Sequence, residues 1–328
     1  MKKIITMVAV SAIGVAASAT ELFVGQVGGL NQANYSAGAP GTYSDNGFWG
    51  YGGTDQALAA DNNNGVHAIH SGGLSYFSWD GAAFSAGGFA GFPGGTSVEV
   101  ASDGTIFSTQ GGGLNAWTYD GVNYSADAFA GFAGGKDLAI DGNGVIHVIH
   151  DTGLSAFTYD GAGTFTAGGF AGFGGGTAVA IGQDGLIYST QGFGLNVWGY
   201  DGVNYTADGF IGGFAGRELD IDSQGTVHVA HADGLSDFSW DGSAWTATGF
   251  YSYPGFRSVF VDSEDNLHVS HDAGVSGYSF VAGNYVEDGF FFTGGAYEVV
   301  EVIPEPATLG LLALVGGGMM WVRKRFMI

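Results

Sequence analysis

The stretch "VIHVIHDTGLSAFTYDG", residues 145–161, contains the pattern that decides the fold. Two runs of β-branched and aromatic residues flank the turn residues 151–153, and Asp160-Gly161 closes the second run. Runs of this kind bounded by Asp, Asn and Gly are typical of β-strands joined by tight hairpins. Working outward, "KDLAID" (136–141) predicts a preceding strand and "AGTFTAGGF" (162–170) a following one. The unit therefore has four short strands, which we name a, b, c and d in chain order.

This unit recurs about every 40 residues. The position of His147 is taken elsewhere by His67, Phe107, Tyr188, His228 and His268. Four strands in forty residues predict the blade of a β-propeller. Six full units span about 54–295, the N-terminal "LFVGQVGGLNQANY" aligns with strands b and c, and "AYEVVEV" (296–302) aligns with strand a. We therefore predict an all-β, seven-bladed propeller closed by N- and C-terminal strands, with six blades or an open solenoid as alternatives.

The order of strand, Gly-Leu turn, strand and Asp-Gly in this stretch resembles the blade repeats of NHL-type and two-component-regulator-type propellers. The resemblance implies a propeller and no particular activity, because one fold carries many functions.

Both ends of the chain have the composition of targeting segments. Residues 1–19 combine Lys2 and Lys3 with an apolar run and Ala17-Ser18-Ala19, which predicts a secretory signal peptide. The propeller domain would then occupy 20–302, and residues 303–328 a sorting or transmembrane segment with a short hydrophobic helix. The defining residues of that segment are Pro304, Glu305 and Pro306 at its start and Arg323, Lys324 and Arg325 at its end.

The order of Pro-Glu-Pro, apolar helix and basic cluster resembles the PEP-CTERM sorting signal of Gram-negative bacteria. The resemblance implies recognition by an exosortase, transient residence in the inner membrane, and delivery to the cell surface or extracellular matrix. It covers only these 26 residues, 303–328, and implies nothing about the propeller.

The chain has no Cys, so disulfides and thiolate metal sites are excluded. Of its 8 Lys and Arg residues, 5 lie in the two end segments, which leaves Lys136, Arg217 and Arg257 in the propeller. With 31 acids retained, the processed chain has a charge of about 3 − 31 = −28. Such a surface repels nucleic acids and anionic lipids but is compatible with divalent cations and with neutral or cationic polymers.

Comparing the units with one another separates two types. His70, His150, His231 and His271 are followed by Ser75, Ser155, Ser236 and Ser276, whereas Gln26, Gln110 and Gln191 are followed by Asn31, Asn115 and Asn196. We predict that each pair is a hydrogen-bonded couple at the b–c hairpin. Residues three apart in a strand point to opposite faces, so one strand's two His cannot hold one metal ion. A ring formed by the four second His remains an alternative site for a polar ligand or a metal.

Two sets of acids are further candidates. Asp262, Glu264 and Asp265 form the most acidic a–b turn and a possible weak calcium site, although such residues are ordinary in tight turns. Glu99, Asp137, Glu218 and Asp220 interrupt strand a, the strand nearest the central channel. They could bind a cation or act as acid and base, against the simpler interpretation of solvated channel acids.

Each d–a loop carries an aromatic pair, namely Phe89/Phe92, Phe129/Phe132, Phe170/Phe173 and Phe210/Phe214. We expect these rings to be buried between blades; if exposed, they would form a surface suited to polysaccharide or protein.

We assign no catalytic residue and no cofactor. The leading hypothesis is a non-enzymatic protein of the cell surface or matrix that binds polysaccharide or protein partners. The alternative is a hydrolase or lyase that acts on extracellular polysaccharide through the channel acids.

Overall fold

The structure is a computed structural model that describes residues 19–37, 41–61, 63–281 and 284–301. The predicted sorting segment, and all of the predicted signal peptide except Ala19, lie outside these ranges. In the described ranges the regular elements are 26 β-strands. Across those same ranges, no helix is long and apolar enough to span a membrane.

The strands follow one another in short antiparallel hairpins. They are β1 Thr20–Ser36, β2 Thr42–Ala60, β3 Gly65–His70, β4 Gly73–Trp79, β5 Phe84–Gly91, β6 Gly95–Val100, β7 Ile106–Gln110, β8 Gly113–Tyr119, β9 Tyr124–Gly131, β10 Gly135–Ile140, β11 Ile146–His150, β12 Gly153–Tyr159, β13 Phe165–Gly172, β14 Gly176–Ile181, β15 Ile187–Gln191, β16 Gly194–Tyr200, β17 Tyr205–Gly212, β18 Gly216–Ile221, β19 Val227–His231, β20 Gly234–Trp240, β21 Trp245–Ser252, β22 Ser258–Val261, β23 Leu267–His271, β24 Gly274–Val281, β25 Asn284–Phe292 and β26 Ala296–Glu301.

Five of the sheets are single four-stranded blades, and a sixth sheet contains two blades joined through β2. We number the blades two (β2–β5), three (β6–β9), four (β10–β13), five (β14–β17), six (β18–β21) and seven (β22–β25). The remaining strands form the closing blade.

In the closing blade, residues 22–26 of β1 pair with β26, and residues 27–36 of β1 pair with the first half of β2. The second half of β2 then pairs with β3 as strand a of blade two. One C-terminal strand and the N-terminal strands therefore complete the ring. The prediction of a closed seven-bladed propeller is confirmed.

The glycine of each Gly-Leu turn is required by the backbone. Gly153 has φ of 149°, and a Cβ atom there would lie 2.0 Å from the carbonyl oxygen of Ala171 in strand d. Only glycine tolerates this approach. The equivalent Gly73, Gly113, Gly194, Gly234 and Gly274 have φ between 151° and 158°, which explains why each of these units has a glycine here.

The core lies between blades. Ile149 and Leu154 of blade four pack with Val179, Ile187 and Trp198 of blade five, and the other junctions have similar clusters. A twisted four-stranded sheet cannot cover its own apolar faces, so each blade depends on its neighbours.

The first His position joins one blade to the next. His147 Nδ1 lies 2.7 Å from the hydroxyl of Tyr205, the first residue of strand d in blade five. The same contact joins His67 to Tyr124, His228 to Tyr285 and His268 to Tyr43. Where the position holds another aromatic residue, the partner changes as well, giving Phe23–Phe84, Phe107–Phe165 and Tyr188–Trp245 ring contacts. This confirms that the first position serves packing between blades.

The most polar of these junctions is in blade six. Burial lowers the pKa of His228, but hydrogen bonds and charges from Asp222 and Asp237 outweigh burial and raise the pKa to about 9. The junction of blades six and seven therefore contains a buried ion pair at neutral pH.

Replacing Tyr205 by Phe removes the hydroxyl that faces His147 and leaves a buried ring nitrogen without that partner. We expect the free energy of unfolding to fall by about 1–2 kcal/mol, measured by thermal or denaturant unfolding. Val203→Ala, at a side chain that is 65% exposed, is the control and should change stability by less than about 0.5 kcal/mol. An unchanged melting temperature for Tyr205→Phe would show that the junction does not need the hydroxyl.

Candidate functional site

The disc has two chemically different faces. Because the strands of a blade are antiparallel, the a–b and c–d turns lie at one end and the b–c turns and d–a loops at the other. Hydrogen bonds between neighbouring blades align these ends: Thr96 Oγ1 donates to Gly135 O where strands a begin, and Ser263 N donates to Glu301 where strands a end. We call the face with the a–b and c–d turns the acidic face, and the other the aromatic face.

The acidic face contains most of the turn carboxylates and no basic residue of the propeller. Its acids are Asp61, Asp103, Asp141, Asp184, Asp222, Asp262, Glu264 and Asp265 in a–b turns, and Asp80, Asp120, Asp160, Asp201 and Asp241 in c–d turns. Backbone N–H groups hold the pKa of the five c–d carboxyls below their ordinary value. This face therefore stays negatively charged.

The a–b turn acids act mainly as turn residues. Asp141 Oδ1 accepts hydrogen bonds from the backbone N–H groups of Asn143 and Val145 at 2.8 and 2.9 Å. Asp262 makes the same turn bonds, and its carboxylate also lies 3.1 Å from His268 Nε2.

The structure does not bring the three candidate calcium ligands together. Asp262 is buried and satisfied within its own turn, whereas Asp265 accepts hydrogen bonds from Ser223 of blade six. Among the described residues, no group of three or more His, Asp or Glu side chains has the arrangement of a metal site.

The aromatic face exposes one phenylalanine in every blade. These side chains are between 46% and 59% exposed: Phe48, Phe89, Phe129, Phe170, Phe210, Phe250 and Phe290. Each lies in strand d, directly opposite the Ser or Asn of strand c, as Phe170 lies opposite Ser155. Phe193 and Phe292, 76% and 73% exposed, extend the same face.

The expectation that both members of each d–a aromatic pair are buried is wrong for the first member. Phe92 is buried and Phe132 stacks on Phe157 at 5.5 Å, so the second member fills the junction as expected. The first member lies three residues earlier, on the other side of strand d, where alternation turns it outward. The result is a seven-membered ring of exposed phenyl groups.

The propeller's three basic residues share one repeat position at the start of strand a, and so lie at the aromatic face. Lys136 pairs with Asp151 at 3.2 Å, and Arg257 pairs with Asp272 and lies over the ring of Tyr297. Arg217 donates to the carbonyl oxygen of Phe256 at 2.6 Å. These cations share the aromatic face with the b–c turn acids Asp151, Asp233 and Asp272, so both signs of charge occur in the turns of this face.

The second-position His form the predicted couples. Nε2 of His70, His150, His231 and His271 lies 2.8–3.0 Å from the hydroxyl of the paired Ser. In each case Nδ1 accepts a backbone N–H two residues later, as Thr152 N donates to His150, so Nε2 carries the proton. The phenyl ring of strand d covers the couple, with Phe170 and His150 stacked 5.9 Å apart at 12°.

These contacts place the four His in four separate hairpins, each with both ring nitrogens engaged. Burial lowers the pKa of all four rings. They are therefore neutral at pH 7, and each belongs to its own blade.

The predicted Gln–Asn couples of the other three blades do not satisfy their amide groups as the His–Ser couples satisfy theirs. Nδ2 of Asn115 and of Asn196 is buried without a hydrogen-bond partner, and so are Oδ1 of Asn31 and Oε1 of Gln26, within the part of the chain that the structure describes. Blades three and five and the closing blade therefore differ from the rest in leaving buried amide groups unsatisfied.

The predicted channel acids do meet. Glu99, Asp137, Glu218 and Asp220 line a central channel with a volume of about 770 Å³. A fifth acid, Glu298 of β26, lines it too. Sequence comparison missed Glu298, although aligning 296–302 with strand a would have placed it level with Asp137 and Glu218.

Two of these carboxylates join neighbouring blades. Asp137 accepts hydrogen bonds from Ser97 Oγ at 2.7 Å and Val179 N at 2.8 Å, which belong to the blades on either side. Asp220 likewise accepts from Val261 N at 2.7 Å. Strand a is the inner edge of each blade, so these acids satisfy edge N–H groups that no further strand can pair.

Enclosure by the channel wall raises the pKa values of the channel carboxyl groups. Burial, then the charges of Asp137 and Asp220, raises the pKa of Glu99 to about 8, and burial raises the pKa of Glu298 to about 8 and of Asp220 to about 6. Burial likewise raises the pKa of Asp137 and of Glu218. Part of this group is therefore protonated at neutral pH.

Comparison with known proteins identifies the class of fold. No family model and no curated protein matches the chain. Among solved structures, a protein from Lactobacillus plantarum superposes with a TM-score of 0.75 at 12% identity, over 87% of this chain and all of that one. A functionally unknown protein from Desulfotomaculum acetoxidans DSM 771 gives 0.71 at 13% identity, over 88% and 100%.

Virginiamycin B lyase from Staphylococcus aureus is a more distant neighbour, with a TM-score of 0.58 at 9% identity over 73% of this chain and 85% of that one. At such identities the likeness shows the propeller fold alone.

Because the pKa values of the channel acids are raised, we expect the free energy of unfolding to fall as the pH rises. Their folded pKa values lie above the ordinary 4.5 of glutamate, so the folded protein binds more protons between about pH 4.5 and 8. The stabilisation is complete below the ordinary pKa and is lost as the pH rises through about 8. Glu298→Gln should raise the melting temperature by a few degrees at about pH 9 and leave it unchanged at about pH 4. An equal change in melting temperature at both pH values would contradict the role given to the raised pKa values.

Proposed function

We propose that the protein is a non-enzymatic binding propeller of the cell surface or extracellular matrix, whose aromatic face binds an external polysaccharide. The observation that carries the proposal is the ring of seven exposed phenylalanines, one per blade. Isolated exposed apolar residues are common, but the same exposed aromatic in every repeat is a surface built for contact.

The position of Glu301 supports a binding role for the aromatic face. Glu301, the last described residue, lies at the acidic face, where it accepts hydrogen bonds from Ser263. A tether that follows residue 301 would hold the acidic face toward the cell envelope. The aromatic face would then point away from the cell and toward the surrounding matrix.

A hydrolase or lyase that uses the channel acids is the second candidate. It is favoured by the raised pKa values of Glu99 and Glu298, since a carboxyl protonated at neutral pH can act as a general acid. Against it, the carboxylates of Asp137 and Asp220 are occupied by backbone N–H groups of adjacent blades.

The absence of natural Cys allows a direct test of the binding face. In the full chain, Ser71→Cys places a thiol in a b–c turn of the aromatic face, and Ser243→Cys places one in a c–d turn of the acidic face. After labelling with a bulky maleimide, the Ser71→Cys protein should lose at least tenfold in affinity for polysaccharide in pull-down assays. The Ser243→Cys protein is the matched control and should bind as the unlabelled chain does.

Equal binding by both labelled proteins would refute the aromatic face as the binding surface. Release of reducing ends or unsaturated sugars, abolished by Asp220→Asn, would instead support the enzyme. Saturable binding without turnover supports the proposal.

We also propose that residues 303–328 act as the exosortase sorting signal. The support is the order of Pro304-Glu305-Pro306, apolar run and Arg323-Lys324-Arg325. The proposal places the mature protein at the cell surface or in the matrix of a Gram-negative bacterium.

Replacing Pro304 and Pro306 by Ala in the producing cell should leave the C-terminal segment attached. We expect the variant to keep the mass of the unprocessed chain and to remain in the inner membrane, as measured by mass spectrometry and cell fractionation. A mature mass and location equal to those of the wild type would contradict the sorting proposal. Ser36→Ala, at an exposed site in the propeller, is the control.

A further inference from the structure

We propose that the seven blades are not equivalent in binding: the three Gln blades each carry a subsite for an uncharged, hydroxyl-rich glycan. We use Gln blades for the closing blade, blade three and blade five, and His blades for blades two, four, six and seven. The subsites consist of an exposed Phe and a buried Asn, namely Phe48 with Asn31, Phe129 with Asn115 and Phe210 with Asn196. This inference rests on the proposed function of the aromatic face.

Strand pairing places the two members of each subsite side by side. Asn115 lies directly opposite Phe129 in the c–d ladder, and Asn196 lies opposite Phe210. Residues directly opposite in an antiparallel pair have Cβ atoms about 4.5–5.5 Å apart on one face of the sheet. Each phenylalanine is therefore the direct cross-strand neighbour of a side-chain amide.

The amides are buried and lack partners. Asn31, Asn115 and Asn196 are only 5%, 8% and 9% exposed, and each has a buried polar atom without a hydrogen bond in the described part of the chain. A buried polar group without a partner is costly, so such groups are rare in folded proteins. Here one atom of the side-chain amide is unsatisfied in each of the three Gln blades, Nδ2 of Asn115 and Asn196 and Oδ1 of Asn31, which indicates a repeated site for a hydrogen-bonding ligand.

The His blades provide an internal contrast. There the equivalent Ser hydroxyl pairs with the imidazole at 2.8–3.0 Å, and the imidazole stacks under the phenyl ring. The Phe of a His blade thus covers a satisfied couple, whereas the Phe of a Gln blade covers an unsatisfied amide. The two blade types have the same backbone and differ in what they offer to a ligand.

The phenyl rings of the Gln blades are exposed and lie against glycines. Phe129 lies against two glycines, since a Cβ atom on Gly113 or Gly131 would approach its ring to 2.9 or 3.5 Å. Phe48 and Phe210 lie against Gly29 and Gly212 in the same way. With no side-chain wall on these sides, rotation about χ1 opens the amide to a ligand that stacks on the ring.

The turns beside the subsites carry no charge. The b–c turns of the Gln blades are Val27-Gly28, Gly111-Gly112 and Gly192-Phe193, whereas three of the four His blades have Asp151, Asp233 or Asp272 in that turn. A site made of an aromatic face and a donor–acceptor amide, beside an uncharged turn, suits the C–H face and hydroxyl groups of a neutral pyranose. Three subsites on one disc would add avidity for a long chain.

The experiment compares matched triple variants of the full chain. The first, N31A/N115A/N196A, removes the three amides; the second, S75A/S155A/S236A, removes three hydroxyls at the same repeat position in His blades. The probes are cellohexaose, laminarihexaose and mannohexaose as neutral glycans, with chitosan and alginate oligomers as cationic and anionic ones. Affinity is measured by calorimetry, and folding by circular dichroism and melting temperature.

We expect the wild-type chain to bind at least one neutral hexasaccharide more tightly than either charged oligomer. The Asn triple variant should lose at least tenfold in affinity, about 1.4 kcal/mol, with no loss of melting temperature, because it removes unsatisfied groups. The Ser triple variant should keep its affinity while its melting temperature falls, because it breaks the His–Ser couples.

Three outcomes would overturn the inference. Equal losses in both variants would mean that all blades bind alike, and the proposed function would stand without this subdivision. Preference for chitosan or alginate would refute the uncharged ligand. If no neutral hexasaccharide binds at millimolar concentration but a polysaccharide still binds the aromatic face in the maleimide-labelling test, the glycan subsites alone are refuted. If no polysaccharide binds the protein at all, the proposed function is refuted as well. If the Asn triple variant fails to fold, the single Asn115→Ala and Ser155→Ala variants make the same comparison.

Discussion

The structure depends on contacts between blades rather than within them. Four short strands cannot bury both faces of a sheet, so each blade is stable only when its neighbours cover it. The strand b position held by His147 contacts the first residue of strand d in the next blade, as His147 contacts Tyr205. Every other feature of the disc, including its closure and its two faces, requires that these junctions all form at once.

Polar groups are hydrogen-bonded in three regions of the disc: the inner edge, the junctions between blades and the aromatic face. At the inner edge, Asp137 and Asp220 accept the N–H groups of adjacent blades. At the junctions, imidazole and phenol groups pair below the surface. At the aromatic face, the b–c hairpin is either satisfied by a His–Ser couple or left with an open amide. Net negative charge is concentrated on the acidic face, where backbone N–H groups hold the pKa of the c–d turn carboxyls below its ordinary value.

Much of the architecture could be predicted from the sequence because the repeats can be compared with one another. Alignment placed the strands, the closure and the His–Ser couple, since all of these act within one unit or at its ends. The His–Tyr junction escaped notice because its partners are 57 or 58 residues apart, more than one unit.

The exposed phenylalanines were misjudged for a different reason. Phe89 and Phe92 were treated as one pair, although the strand's alternation sends the first outward while the loop turns the second inward. The unsatisfied amides could not be foreseen, because Gln and Asn are chemically able to pair. The structure shows instead that Asn31, Asn115 and Asn196 each keep a buried amide atom without a hydrogen bond, within the part of the chain that it describes. Glu298 was overlooked because its strand was identified as the last piece of the ring and not aligned in detail.

The closing blade also determines how the disc would respond to mechanical load. Strand β26 pairs antiparallel with β1 through residues 296–301, and its axis runs from the aromatic face to the acidic face. If a polymer holds one face and a tether pulls at residue 301, the force acts along this strand. Its ladder hydrogen bonds are then strained together in shear, instead of breaking one after another as in peeling. The joint that closes the ring is thereby oriented to resist tension between the two faces of the disc.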